Sequence, residues 1–303
     1  MSLSKNKHGM KRTIEDKIVD AVIFIFMTLL LIVCAYPFYY VIIVSLNEGV
    51  DAVRGGIYLW PRKFTISNYS QFLNDSKWIK AIFVSVAKTV IGTGLTVMFT
   101  CMVAYAFSCS HLMFRKFYTS IMMFCYFIGG GAIPYYLVLN AYGLINTFFV
   151  YVIPGMFSIY YCILARNFFA SMPVELFESA RLDGAGEFTI FTRIVLPLSK
   201  PILATLGLFT AVGQWNAWSD AVYYAPARKD LKTLASLMRE VINKNQVDTK
   251  NQAAMMQASK YASVTPTSVQ MAAMIIAVLP IICVYPFLQK HFVKGMMLGA
   301  VKG

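Results

Sequence analysis

Hydrophobic residues in this chain are gathered into six long blocks, separated by shorter polar stretches. A helix needs about 20 mostly apolar residues to cross a bilayer, because all of its backbone polar groups must be bonded internally there. Every block reaches that length, which predicts an all-α integral membrane protein with six transmembrane helices. The predicted spans are residues 18–45, 81–108, 117–140, 146–168, 201–223 and 268–289.

Composition excludes several classes of protein. Of the 303 residues, 58% are hydrophobic and 14% charged, and the mean hydropathy is +0.61, which argues against a disordered chain, a coiled coil or an ordinary soluble enzyme. The net charge of +13 would indicate nucleic acid in a soluble protein. Here the cations lie mainly between the apolar blocks, where they face lipid headgroups, and we expect no nucleic-acid partner.

Six spans place both termini on the same side of the membrane. Lys and Arg divide 14 to 12 between that side and the other, with Lys88 inside a span, so positive-inside bias only weakly favours cytoplasmic termini.

The basic start of the chain and the residues before Cys34 faintly resemble a secretion signal. Val33 is too large for that cleavage site and the apolar run continues to Val44, so we interpret the block as a membrane anchor.

Helix-breaking residues interrupt three of the predicted spans. They permit two interpretations: kinking with close packing through small residues, or irregular backbone that lines a cavity. Both stay open for the triple glycine of the third span. The breakers are Gly129, Gly130, Gly131 and Pro134 in the third span, Pro154 and Gly155 in the fourth, and Pro280 and Pro286 in the sixth.

Cysteine and histidine give no sign of a metal site. The six cysteines fall in or beside apolar blocks without a CxxC pair, and none of the three histidines is paired at ligand spacing. We interpret the cysteines as small apolar residues and predict no bound metal.

The connection between the fourth and fifth spans, residues 171–200, predicts structure of its own. Ser171 caps a helix that stops at Gly184, and Glu187 opens a second helix that ends before Pro197. Apolar side chains recur along both short helices. Such exposed apolar faces just outside the membrane are typical of a segment that fills a groove of a partner protein.

A motif in this loop resembles the cytoplasmic coupling loop of ATP-binding-cassette importer permeases. That family has Glu-Ala-Ala, three residues, Gly, nine residues, Ile, any residue and Leu-Pro, and every spacing is kept here, with serine as the single departure. The resemblance implies contact with an ATPase by Glu178, Ser179, Ala180, Arg181, Asp183, Gly184, Ile194, Leu196 and Pro197.

Other stretches are similar to the carbohydrate-uptake branch of that family, and in particular to its LplC-like polysaccharide permeases. They are residues 92–94, 129–134, 143–147, 213–216 and 299–303. The resemblance implies the type I importer permease (MetI-like) fold in a bacterial cell membrane, with six spans. Both termini and the coupling loop would be cytoplasmic.

The resemblance also implies partners. They are a second permease subunit, a dimer of ATPase subunits, an extracytoplasmic solute-binding protein, membrane lipid and an oligosaccharide substrate. Because the sequence has no GxxxxGK[ST] phosphate loop, ATP and Mg²⁺ are expected in the ATPase subunits. For this chain we expect no catalytic residue and no cofactor.

A sugar path needs aromatic faces and polar side chains, and the fifth span carries both. The alternative is an interfacial belt for its tryptophans, and for Lys88 a side chain that reaches the outer headgroups. If Lys88 faces a cavity, it suits an acidic sugar. The candidate path residues are Lys88, Gln214, Trp215, Asn216, Trp218 and Asp220.

Three regions follow: a cytoplasmic segment 1–17, a permease domain 18–289 and a cytoplasmic tail 290–303. The domain includes an extracytoplasmic loop, 224–267, with an amphipathic helix that either lies on lipid or touches the delivering protein.

Two other functions compete with ATP-driven sugar import. A gradient-driven carrier would need a membrane-embedded acidic site, and an intramembrane enzyme would need a nucleophile–base pair or a metal.

Overall fold

The computed structural model describes residues 14–109, 111–248, 264–265 and 267–283. Within these ranges the regular structure is helical, apart from one antiparallel bridge between Asn47 and Phe64. The helices are α1 Ile14–Ser45, α2 Gly49–Val53, α3 Ser67–Asn74, α4 Ser76–Ser108, α5 Arg115–Phe127, α6 Ala132–Ala141, α7 Ile159–Ala170, α8 Glu175–Leu182, α9 Glu187–Ile190, α10 Leu196–Leu198, α11 Lys200–Asn216, α12 Ser219–Tyr223, α13 Leu234–Asp248 and α14 Thr267–Cys283.

Two of these helices are long and apolar enough to cross a membrane unaided, α1 and α4. They confirm the first two predicted spans as helices. The most apolar stretch of α1 has none of its residues buried in this chain, whereas a third of that of α4 is buried. Helix α4 packs along α7 and α11 and is the central element of the fold.

The third predicted span is two helices rather than one. Helices α5 and α6 meet at an angle of 116°. The break falls at 128–131, as the triple glycine predicted, and Gly131 takes a φ of +81° that L side chains rarely adopt. Pro134 lies in the first turn of α6, where its missing N–H leaves no helical bond unmade.

The fourth predicted span was wrong as a continuous helix over 146–168. A 3₁₀ turn covers Phe148–Tyr151, irregular backbone follows, and α7 begins only at Ile159. The Thr96 hydroxyl of α4 lies 2.7 Å from the Gly155 carbonyl oxygen. Irregular backbone among membrane helices is tolerated where the protein itself satisfies its polar groups, as Thr96 does here.

The fifth and sixth predicted spans also differ in detail. Helix α11 ends at Asn216, the backbone is extended at Ala217, and the short α12 follows. Helix α14 covers the first part of the sixth span and includes Pro280, and the rest, with Pro286, lies outside the described residues. Most of segment 1–17, residues 249–263 of the outer loop and the tail 290–303 lie outside them as well.

By length and composition the described helices amount to two spans, or four if each strongly bent pair is one. The second such pair joins the helical run Glu187–Leu198 to α11 at an angle of 83°. Two helices fall where the remaining predictions placed spans, α7 in the fourth and α14 in the sixth, and α12 falls in the fifth span after α11.

Two hydrophobic clusters fix the ends of α4. At one end, Cys101 and Ala104 pack with Ile190 and Phe191 of the loop after α7. At the other, Trp78 packs with side chains of α3, α13 and α14: Phe72, Leu234, Met238 and Ala273. The amphipathic helix predicted in 224–267 is therefore present as α13, and Leu234 and Met238 bury their side chains against this same chain.

Candidate functional site

A buried ion pair joins α4 to the break between α11 and α12. Lys88 is fully buried, and its Nζ lies 2.9 Å from Oδ2 of Asp220 and 3.1 Å from the carbonyl oxygen of Ala217. The ammonium also lies 5.0 Å from the centre of the Tyr151 ring. Lys88, Asp220 and the Ala217 carbonyl form what we term the polar centre.

The polar centre explains why the fifth span can break at this point. The extended residue after α11 has a carbonyl that the helix does not satisfy, and the Lys88 ammonium donates to it. Asp220 balances the charge, without which a buried ammonium would be strongly destabilising. Lys88 thus has no exposed surface from which to contact a substrate or the headgroups, the two roles weighed from the sequence.

Gln214 lies between α4 and the irregular backbone before α7. A Cβ at Gly92 would lie 3.0 Å from Cδ and Nε2 of Gln214, and a Cβ at Gly155 would lie 3.4 Å from the same Nε2. Glycine at both positions therefore leaves room for the Gln214 amide. The side chain is only partly buried within this chain.

The two tryptophans of the predicted path lie on a cavity of about 580 Å³ between α11, α12, α13 and α14. Trp215 donates its Nε1–H to the Ala277 carbonyl of α14, at 2.9 Å. The ring of Trp218 is covered by the guanidinium of Arg239, whose Cζ lies 3.5 Å from the ring centre. Asn216 is exposed and lines the same cavity.

Arg239 was missed by the sequence reasoning. It lies on α13, in a stretch that the sequence identifies only as an amphipathic helix outside the membrane. Nothing in the pattern of residues says which element α13 packs against, so no local signal could have placed Arg239 over Trp218.

The loop over 171–200 has two helices, as the sequence predicted, but the prediction for Ser171 was wrong: it ends α7, and the first loop helix begins at Glu175. Helix α8 ends in a Schellman motif: the Ala185 N–H donates to Ala180 O and the Gly184 N–H to Arg181 O, both at 3.0 Å. The motif requires a left-handed residue, and Gly184 has a φ of +79°. The glycine of the coupling motif is therefore explained by the turn that it makes.

The second loop helix does not end before Pro197, and that prediction was wrong. The helical backbone passes through a π turn at Phe191–Val195 and continues to Leu198, where the chain bends into α11. Pro197 lies in the first turn of α10, directly after the π turn. Proline has no N–H to donate, and it falls here directly after the π turn, where the regular α-helical hydrogen-bond pattern is already interrupted.

Glu187 fastens the loop to the end of α4. Its carboxylate accepts hydrogen bonds from the Tyr105 hydroxyl at 2.5 Å and from the Arg181 Nε at 3.0 Å. Partial burial alone would raise the pKa of Glu187, but these two hydrogen bonds and the charge of Arg181 lower it below the usual 4.5. The hydrogen bond to Glu187 likewise raises the pKa of Arg181.

The motif residues divide between the two faces of the loop. Ala180 is buried, as is Ile190 beside it, whereas Ile194 and Leu196 are partly buried. The other motif residues are exposed: Glu178, Ser179, Arg181, Asp183, Gly184 and Pro197. Large apolar side chains stand out on the exposed face, with Leu182 88% and Phe188 64% exposed.

One cluster of metal-ligand types lies beside the loop. The ligand atoms of Cys109, His111 and Glu187 are all within 4.8 Å of one another, so the structure assembles side chains that the sequence left unrelated. The Glu187 carboxylate is also bonded by the Arg181 guanidinium, whose positive charge opposes a bound cation. The absence of a bound metal stays a prediction.

These features define a helical transport permease: helices long enough to span a membrane, irregular backbone and a buried ion pair at the breaks, and a two-helix loop with an exposed apolar face. The chain belongs to the family of binding-protein-dependent transport system inner membrane components, whose model matches residues 9–298. This membership confirms the predicted transport subunit and does not support an intramembrane enzyme or a gradient-driven carrier.

Two curated relatives from Bacillus subtilis (strain 168) match over nearly their whole length. Protein LplC is 34% identical over 297 residues, covering 98% of this chain and 99% of the relative. The polygalacturonan/rhamnogalacturonan transport system permease protein YtcP is 32% identical over 291 residues, covering 95% and 100%.

A solved structure agrees with the fold. It is a bacterial ABC transporter involved in the import of the acidic polysaccharide alginate, one chain of which matches with a TM-score of 0.84 and 26% identity. The match covers 93% of this chain and 99% of the other, so the two chains share one overall fold.

Proposed function

We propose that this chain is a permease subunit of an ATP-driven importer of oligosaccharides or polysaccharide fragments, and that it forms half of the translocation pathway. The family description supports binding-protein-dependent transport. The names of similar proteins, which transport polygalacturonan, rhamnogalacturonan and alginate, support a carbohydrate of several residues as the substrate.

The proposed topology has six spans with both termini and the 171–200 loop in the cytoplasm. Helices α1 and α4 support two of the spans, the bent pair of α5 and α6 supports a third, and α11 supports a fourth, with the run Glu187–Leu198 before it left in the loop. The remaining two would be built around α7 and α14, which at 12 and 17 residues are shorter than a bilayer requires alone. Irregular backbone packed against α4 would extend the first of them.

The observation that carries the coupling proposal is the contrast between the two faces of the loop. The inner face is buried on α4 and fastened through Glu187, while Leu182 and Phe188 are left in water. Burying such a side chain contributes about 1.5–3 kcal/mol. A groove on an ATPase subunit would provide that burial, and the exposed Glu178 would meet polar groups at its edge.

ATP and Mg²⁺ would then bind a dimer of ATPase subunits, since this sequence lacks the phosphate loop. Closure of that dimer would move the loop as a rigid body and switch this chain and a second permease subunit between inward-open and outward-open states. A solute-binding protein would deliver the sugar at the other face. Gln214, Asn216 and Trp218 would line the path, held in place by the polar centre.

The test is co-purification of an ATPase with the tagged chain from native membranes. It compares wild type, Leu182→Asp and the volume-conserving Leu182→Met, together with one control variant. A fourth form, Leu59→Asp, places the same charge at a side chain that is 71% exposed in the loop after α2. We expect an ATP-hydrolysing subunit to co-purify with wild type, Leu182→Met and Leu59→Asp. Its recovery with Leu182→Asp should fall about tenfold or more.

Equal recovery from the Asp and Met variants would show that this face does not hold the ATPase. If no ATPase accompanies intact wild-type protein, ATP-driven transport itself is contradicted.

A further inference from the structure

The cavity beside Trp218 carries a cation without a counter-charge. Among the residues that the structure describes, the neighbouring Lys88 and Lys232 are paired with Asp220 and Glu240. Arg239 has no carboxylate within ion-pair distance in that part of the chain, and its side chain is exposed. Its positive charge is therefore available to a ligand.

The guanidinium of Arg239 lies over an aromatic ring. Its Cζ lies 3.5 Å from the centre of the Trp218 ring, which is a close cation–π contact. Trp218 is partly buried and is itself in ring contact with Tyr223, at 6.1 Å between centres. An arginine that lies on an aromatic ring has its N–H groups at the edge, where they can bind a carboxylate with two parallel hydrogen bonds.

The rest of the cavity suits a sugar. Its volume of about 580 Å³ lies in the range of sites for small organic ligands. The exposed amides of Asn216 and Asn243 offer donors and acceptors for hydroxyl groups, and apolar side chains of α14 line the opposite wall. This combination matches a pyranose that bears a carboxylate.

We propose that this cavity is a binding subsite for the uronic acid units of an oligosaccharide, with Arg239 as the residue that binds the carboxylate. The proposal rests on the proposed function and adds to it a substrate class, an acidic oligosaccharide, and a residue that selects it. It also moves the cationic role from Lys88, which is enclosed, to Arg239, which is open. Neutral sugars of the same size should bind more weakly, because they leave the guanidinium without its partner.

The first experiment measures binding to the intact importer complex in lipid nanodiscs, without its solute-binding protein. The probes are a trisaccharide of galacturonic acid and the same trisaccharide with its carboxyl groups reduced to alcohols, followed by saturation-transfer NMR. We compare wild type, Arg239→Gln, Arg239→Lys and Arg228→Gln. Arg228 is the matched control, an exposed arginine already paired with Asp230 at 2.7 Å.

We expect wild type and Arg228→Gln to bind the acidic trisaccharide about tenfold more tightly than the reduced one. Arg239→Gln should bind both equally, at the affinity of the reduced sugar. Arg239→Lys should keep part of the preference, because it keeps the charge and loses the paired hydrogen bonds. The proposal is overturned if wild type shows no preference, if it binds neither sugar, or if Arg239→Gln keeps the preference.

A second measurement separates this inference from the function on which it rests. Proteoliposomes with the complete importer, the solute-binding protein and internal ATP are assayed for uptake of the acidic trisaccharide. ATP-dependent uptake that is equal in wild type and Arg239→Gln overturns the subsite alone. A tenfold lower uptake in Arg239→Gln, with Arg228→Gln unchanged, supports both. Absence of uptake in wild type, with the binding preference intact, contradicts the transport function and leaves the carboxylate subsite standing.

Discussion

The coupling loop and the polar centre are both built around a charged pair, but they are assembled in opposite ways. In the loop, Arg181 and Glu187 are six residues apart and both remain in contact with water. In the polar centre, Lys88 and Asp220 are 132 residues apart and the lysine is fully buried. The local, hydrated pair lies inside a loop that its motif identifies, whereas the distant, buried pair exists only after the helices have packed.

The same difference in hydration sets how much each pair contributes to the stability of the folded protein. A hydrated ion pair contributes between nothing and about 1 kcal/mol, because water solvates the charges when the pair is broken. Breaking a buried pair costs about 3–5 kcal/mol, because the remaining charge has no solvent. The polar centre is therefore the more sensitive of the two to substitution, although the loop carries the recognisable sequence.

The largest effect is expected for Asp220→Asn, which leaves the Lys88 ammonium buried without a counter-charge. The free energy of unfolding should fall by about 3 kcal/mol. Denaturant unfolding in detergent measures the loss. The double variant Lys88→Met, Asp220→Asn removes both charges and should recover most of it. If the double variant is no more stable than the single one, the pair does not act as a charge-compensated unit.

A smaller effect is expected where α4 supports irregular backbone. Thr96→Val removes the hydroxyl beside the Gly155 carbonyl oxygen and should destabilise the protein by about 1–2 kcal/mol. Thr93 is the matched control on the same helix, since its buried hydroxyl oxygen has no partner among the described residues. Thr93→Val should therefore be neutral or slightly stabilising. Equal losses in the two variants would mean that Thr96 acts through packing alone.

The smallest effect is expected in the loop, and it should depend on pH. Because the pKa of Glu187 is lowered in the folded protein, its contribution is present above the usual value of 4.5 and is lost as the pH falls below it. Hydrogen exchange of 175–198, corrected for intrinsic rates, should show weaker protection at pH 3.5 than at pH 7. Glu187→Gln should show the weaker protection at both pH values. The free energy of opening the loop should fall by less than about 1 kcal/mol.

Glu178→Gln is the control for that measurement, because Glu178 is exposed and forms no ion pair within the described residues. In the Glu178→Gln variant, the loop should be protected from hydrogen exchange as strongly as in wild type. Equal protection of the Glu187→Gln and wild-type loops at pH 7 would mean that Glu187 does not fasten the loop to α4.

The accuracy of the sequence predictions followed the range of the interactions. The break at the glycines of 129–131 and the turn at Gly184 were predicted, since glycine in the left-handed region is a local requirement. The helix over 146–168 was wrong, although Pro154 and Gly155 marked it as interrupted. The carbonyl oxygen of Gly155 in this non-helical segment is contacted by the Thr96 hydroxyl, which comes from another helix.

By itself, the sequence determined that the chain enters a membrane, where α1, α4 and the glycine break lie, and that 171–200 forms a two-helix loop with a coupling motif. Each of these depends on the composition or spacing of neighbouring residues. Only the tertiary structure decided that Lys88 pairs with Asp220, that Glu187 fastens the loop to Tyr105, and that Arg239 lies over Trp218. These contacts join residues far apart in sequence, and packing of the helices sets which of them meet.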